Sequence, residues 1–156
     1  MRKSSGSRTN LLELQKVKAK QKTLFRLNYN CEKGVTMPYI TLSVSKKIEP
    51  EIEQALIDGL GIALSKIPGK EPQWTMVEVN DGLRMYFGGA RQDDMVFADV
   101  KYVGKMEYHK KKDFTQAAFK AINEILGTPI DKICLTISEF DNWGAVGDFR
   151  DQYYAD

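Results

Sequence analysis

The stretch Met37-Pro38-Tyr39-Ile40-Thr41-Leu42-Ser43-Val44 decides how the chain is read. From Tyr39 onward it alternates and is β-branched, the pattern of a strand with one buried face. Pro38 stands directly before that strand, and its chemistry depends on whether it is internal or terminal. An internal proline nitrogen is a tertiary amide without a proton or a basic lone pair, suited to the first residue of a strand, where the missing N–H is harmless. A terminal proline is a secondary amine. Desolvation or a nearby cation lowers its pKa, and the neutral amine is then a general base.

Downstream, Pro50 sits where a first-turn proline belongs. Ile52, Ala55, Leu56, Leu60, Ala63, Leu64 and Ile67 follow at helical spacing, and Pro68-Gly69 closes that helix. Residues 75–79 read as the next strand, ended by Asn80-Asp81-Gly82. The order then recurs: a strand over 96–103, a helix on Phe114, Ala117, Ala118, Ala121, Ile122 and Ile125, and a closing strand over 133–137. Asp113 and Gln116 are spaced as a capping pair for the second helix, and Gly127 as its terminator.

A constant displacement of 58 residues superposes the halves. Ala63 falls on Ala121, Ile67 on Ile125, Gly69 on Gly127, Val77 on Leu135 and Val79 on Ile137. Such a repeat is a duplicated supersecondary unit. Each copy is strand-helix-strand, and so gives a parallel pair joined by a helical crossover. The expected fold is α+β in two layers: a duplicated β-α-β unit, with a four-stranded mixed sheet and two helices on one face. The other face then needs cover, which a further subunit can supply.

At 156 residues and 42% hydrophobic the chain has enough sequence for one domain with a core. Cys31 and Cys134 are too few for a disulfide framework and lack a Cys-x-x-Cys partner or clustered histidines for metal, which favours a reducing, cytoplasmic setting. No apolar run approaches the roughly 20 residues of a membrane span. The net charge of +2 conceals an asymmetry, for residues 1–36 hold nine Lys/Arg against Glu13 and Glu32, leaving 37–156 net acidic. That basic arm could serve a nucleic acid or acidic partner, or be a transit peptide. The reading preferred here is that it precedes the true start. Glu32-Lys33-Gly34-Val35-Thr36 can be encoded with AAGGAG, a bacterial ribosome-binding sequence, just before the Met37 codon. The expected division is therefore residues 1–36 as an arm, disordered or outside the protein, and 37–156 as the domain. His109, within Tyr108-His109-Lys110-Lys111-Lys112 between elements, reads as solvated, and the lysine run as a solvated face rather than a nucleic-acid patch.

Gly88-Gly89, after Met85-Tyr86-Phe87, lacks the Gly-x-x-x-x-Gly-Lys of a phosphate loop and reads as a turn. Its place in order with Met37-Pro38, Gly69-Lys70-Glu71-Pro72-Gln73-Trp74, Val103-Gly104-Lys105 and Val146-Gly147 resembles the tautomerase superfamily. The likeness is to its branch of macrophage migration inhibitory factor and the phenylpyruvate-tautomerase-like proteins, and covers residues 37–156. That resemblance implies a cofactor-free homotrimer with active sites between subunits. It implies that Pro38, freed by removal of Met37, shuttles a proton between carbon and oxygen of a small keto acid. It further implies that Lys70 binds the substrate carboxylate and depresses the amine's pKa, that the Val103 amide contacts substrate, and that Tyr39, Trp74 and Tyr102 lie at or beside the pocket.

Departures accompany the likeness. Cys134 and Thr136 stand where cytokine-type members carry a tyrosine and an asparagine, so a phenolic acid is missing, and Thr136 takes the asparagine's place. Their Cys-x-x-Cys is replaced near Asp93-Asp94-Met95. After Val146 the chain runs Gly147-Asp148-Phe149, where Phe149 can still form an apolar wall and Asp148 would repel an anion. Two alternatives to tautomerisation stay open. One is a non-catalytic cytokine-like binding or signalling protein. The other is a related hydratase, dehalogenase or decarboxylase, with Arg91 or Asp148 as the added group.

Overall fold

In the computed structural model, residues 37–145, 147–151 and 153 are described, all within one unit spanning 35–156. Strand β1 is Tyr39–Val44, helix α1 Pro50–Leu64, β2 Met76–Asn80, β3 Met85–Phe87, β4 Ala90–Gln92, β5 Val96–Val103, helix α2 Tyr108–Leu126, β6 Ile133–Phe140, β7 Asn142–Ala145 and β8 Asp148–Asp151. The main sheet has the order β2-β1-β5-β6. Its outer pairs are parallel and its central pair, β1 with β5, is antiparallel, as two β-α-β units joined back to back require.

The repeat extends to the hydrogen-bond register. Ile40 pairs with Val77, and the residues 58 further on, Ala98 and Leu135, pair in the same way. The short 3₁₀ turns before β2 and β6, Pro72–Trp74 and Ile130–Lys132, obey the same displacement.

Alternation in the strands sets the layers. Ile40, Leu42, Val44, Val96, Ala98, Val100 and Tyr102 are buried against the helices, while Tyr39, Thr41 and Ser43 point the other way. From α1 come Leu56, Leu60, Ala63 and Leu64, and from α2 come Phe114, Ala118 and Ile122, each set a single helical stripe. Every buried Leu, Ile or Phe of this core contributes roughly 1.5–3 kcal/mol by leaving water. The helices meet closely at Gly59, where an added Cβ would lie 3.0 Å from Ile125 Cδ1.

Three boundaries differ from expectation. Helix α1 ends at Leu64, before Pro68-Gly69, and the chain continues through single turns in which Ile67 N–H bonds the Leu64 carbonyl and Lys70 N–H the Ile67 carbonyl. Helix α2 begins at Tyr108, with Glu107 at its N-cap position, so Asp113 and Gln116 lie inside it and cap nothing. Its first turn is polar, and hydrophobic spacing alone therefore placed the start too late. His109 consequently lies in the first turn of α2 rather than between elements, exposed and 3.1 Å from Glu107. Beyond the repeat, Gly88 and Gly89 form the tip of the β3–β4 hairpin with φ of 58° and 80°, a conformation that glycine adopts without strain. Strands β7 and β8 make a second hairpin that hydrophobic patterning did not suggest.

Candidate active site

The head of β1 and the tail of β5 form one end of the sheet. The Pro38 carbonyl accepts the Met76 N–H at 2.9 Å, so the β1–β2 ladder continues to the residue before the strand. Pro38 is buried. Tyr39 pairs with Lys101, and one step further back along that register Pro38 lies opposite Tyr102, which is wholly buried.

Lys70 reaches the same end from the loop after α1. Gly69, at φ 75°, makes the left-handed turn that redirects the chain. Pro72 then packs on α1 where Gly61 leaves room, since a Cβ there would sit 3.1 Å from the proline ring. Lys70 is only 3% exposed. Its Nζ donates to the Val103 carbonyl at 2.9 Å and lies 5.1 Å from the centre of the Tyr102 ring. Burial pulls its pKa down from 10.5 to about 8. The side chain is thus a cation near neutrality, held by a carbonyl dipole and an aromatic face.

A carboxylate absent from the sequence expectations supports this arrangement. Glu139 Oε1 accepts the Tyr102 hydroxyl at 3.2 Å and the Met106 N–H at 2.8 Å, and Oε2 lies 3.3 Å from Lys111 Nζ. Burial raises the Glu139 carboxyl, but the Met106 amide, Lys111 and Tyr102 outweigh it and leave it below the ordinary range. Burial, and then the Glu139 charge, push the Tyr102 phenol well above its usual value, so it stays a donor. The expected strand stopped at Ile137, whereas β6 runs to Phe140. A single acid past a strand end carried no signal.

The remaining candidates divide by position. Trp74 is half-buried in the 3₁₀ turn just after Lys70. Tyr39 and Thr136 lie on the opposite face of the sheet, away from Lys70 and Tyr102. There the Tyr39 hydroxyl bonds Glu78, Lys101 stands 5.8 Å from the Tyr39 ring and pairs with Asp99, and Thr136 Oγ1 donates to Asp99 at 2.9 Å. Cys134, half-buried, shares that face by its pairing with Phe97. Phe149 is exposed on β8, and Asp148 begins that strand opposite Ala145. Val146 lies outside the described residues. Arg91, exposed on β4, pairs with Asp93 at 3.3 Å. The fold therefore gathers Pro38, Lys70, Tyr102 and Val103, with the neighbouring Trp74, at one end of the sheet, and sets Tyr39 and Thr136 on its other face. Among the described residues no helix is long and apolar enough to cross a membrane.

Against this geometry stand the comparisons with known proteins. The model of the macrophage migration inhibitory factor family matches residues 37–148. The chain belongs to that family. The match opens on the Met37-Pro38 step and takes in Lys70, Tyr102, Val103 and Glu139. Solved structures of the wider tautomerase superfamily share the fold. MIF2 from Leishmania major superposes with a TM-score of 0.65 at 22% identity, covering 73% of this chain and 97% of that one. Pt0534, solved after inactivation by 2-oxo-3-pentynoate, gives 0.64 at 17%, covering 70% and 93%. A fused 4-OT, solved as an asymmetric trimer, gives 0.65 at 16%, covering 70% and 94%. A comparison with curated proteins by sequence gives no match.

Proposed function

We propose that this member of the family is a cofactor-free keto–enol tautomerase of the phenylpyruvate type, with Pro38 as general base once translation from Met37 and loss of that methionine make it N-terminal. The observation that carries the reading is the convergence of a buried proline and a buried, carbonyl-held lysine at one end of the sheet. In the proposed reaction the neutral Pro38 amine removes a proton from the carbon beside the keto group. The C–H electron pair becomes the enol C=C bond, and the same proton is delivered to the carbonyl oxygen. The Lys70 ammonium pairs with the substrate carboxylate, and its positive charge disfavours protonation of Pro38. The Val103 amide, Tyr102 and Trp74 bound the organic part. A positioned base of this kind supplies about 10²–10⁴ in rate.

The assembly proposed is a homotrimer, supported by the likeness to the fused 4-OT trimer. In it Tyr39, Thr136, Val146 and Phe149 serve a pocket shared with an adjacent copy, a role that fits the place of Tyr39 and Thr136 on the sheet face away from Lys70. The setting proposed is cytoplasmic.

The test begins with intact mass and N-terminal sequencing of the protein made from its native gene context, followed by a phenylpyruvate assay. A chain starting at Pro38 that enolises phenylpyruvate, and that takes up 2-oxo-3-pentynoate on Pro38, supports the reading. A chain starting at Met1 leaves Pro38 an amide and sinks it. In that event a binding protein fits better, because Lys70 is already engaged and nearly closed from solvent.

A further inference from the structure

Three donors from different elements converge on Glu139: the Tyr102 hydroxyl at the end of β5, the Met106 N–H in the turn that follows, and Lys111 in the first part of α2. The residue is the last but one of β6 and only slightly exposed. Its hydrogen bonds to these three donors do not include Lys70 or Pro38. It does hold the two groups that hold Lys70. Tyr102 presents its ring to the ammonium, and Val103, whose carbonyl accepts from Lys70, begins the turn that the Met106 hydrogen bond fixes.

We propose that Glu139 is the positioning and specificity residue for the anion-binding end of the site, acting through Tyr102 and the 103–106 turn on Lys70. The inference rests on the reading of Lys70 given above. Its physical basis is twofold. A phenol donating to a carboxylate has a more electron-rich ring, which strengthens its attraction for a cation over its face. A turn tied to a carboxylate keeps the Val103 carbonyl aimed at Nζ, so substrate meets a cation already in place rather than one that must be ordered on binding. Both effects favour the charged form of Lys70. Among the described residues, the titratable groups that bond within this cluster are Tyr102 from β5, Glu139 from β6 and Lys111 from α2, and the proposed Pro38 amine stands at the head of β1. Lys111 neutralises part of the Glu139 charge but bonds the other oxygen.

The experiment compares the mature protein, beginning at Pro38, with its Glu139→Gln and Tyr102→Phe variants, two substitutions close in size to the native residues, whose folding is checked by thermal melting. Lys70 ionisation is followed first by NMR of its ε-methylene, a measurement independent of turnover. The titration midpoint is expected to fall in both variants, and an unchanged midpoint overturns the proposal. Kinetics follow with phenylpyruvate and with phenylacetaldehyde, which enolises but carries no carboxylate. For Glu139→Gln, KM for phenylpyruvate is expected to rise about 5–10-fold with kcat within twofold, and KM for phenylacetaldehyde to stay within twofold. An equal loss on both substrates assigns Glu139 a purely structural role and also overturns the proposal. Should the wild type turn over neither substrate while the midpoints still fall, the tautomerase reading fails and the coupling of Glu139 to Lys70 stands.

Discussion

The two copies of the β-α-β unit place a buried polar residue at the same point and then treat it differently. One residue beyond a left-handed glycine, Gly69 or Gly127, stand Lys70 in the first copy and Thr128 in the second. Thr128 is locked into a closed network: its hydroxyl donates to Asp94 at 2.6 Å, its carbonyl accepts from Asn123, and Lys46 meets both Asp94 and the last carbonyl of α2. Lys70 instead has a carbonyl and an aromatic face, and burial weakens its charge. The strand heads differ in parallel, with Pro38 in the first copy answered by the inert Val96 in the second. Tyr102, bonded to Glu139, is answered by Val44. Duplication gave two equivalent sheet ends. At one end a threonine joins a closed hydrogen-bonded network, and at the other a buried cation sits near a buried proline.

The contrast can be broken most strongly at the strand heads. In protein starting at residue 38, Pro38→Ala should lower kcat/KM for phenylpyruvate about 100-fold or more in steady-state assays, since a primary amine of ordinary basicity replaces the base. The elution volume on size exclusion should not change. The counterpart Val96→Ala should cost about 2 kcal/mol in denaturant unfolding, as expected for truncating a fully buried side chain, with kcat of the folded protein intact. If Val96→Ala proves as damaging to chemistry as Pro38→Ala, the two ends are not functionally distinct.

Lys70→Met sharpens the comparison next. At least a tenfold rise in KM for phenylpyruvate is expected, together with a gain of about 1–2 kcal/mol in stability near pH 7, because a buried charge is removed. The pH dependence fixes the sign. The folded pKa of about 8 lies below the free value of 10.5, so the cost of burying the cation is fully present below pH 8 and disappears as pH rises to 10.5. The stability difference between variant and wild type should shrink across that window in pH-resolved melts. The smallest effect is expected at the closed end. Thr128→Val leaves Asp94 without one donor and should cost about 1 kcal/mol, with no change in KM.

Much of this contrast was legible in the chain itself. The displacement of 58 residues links Gly69 with Gly127 and Val77 with Leu135, and a repeat in sequence becomes a repeat in register because strand pairing follows the buried alternation. Pro38 stood out as a proline directly before a strand, whereas Lys70 was singled out by the family resemblance, since a lysine just past a helix is ordinarily exposed. Glu139 carried none. A lone acid in a mixed-polarity strand end becomes distinctive only when Tyr102, Met106 and Lys111, distant in sequence, are folded against it. The start of α2 was misplaced for a related reason, since its first turn makes too little core contact to show a hydrophobic period.

By itself, then, the sequence determined the unit, its duplication and the two layers, all properties written in the spacing of apolar residues and a few glycines and prolines. Tertiary structure alone decided which polar groups are satisfied. It buried Lys70 enough to lower its pKa and drew Glu139 to Tyr102. Burial and charge depend on what packs around a residue from remote parts of the chain, and no local pattern encodes that.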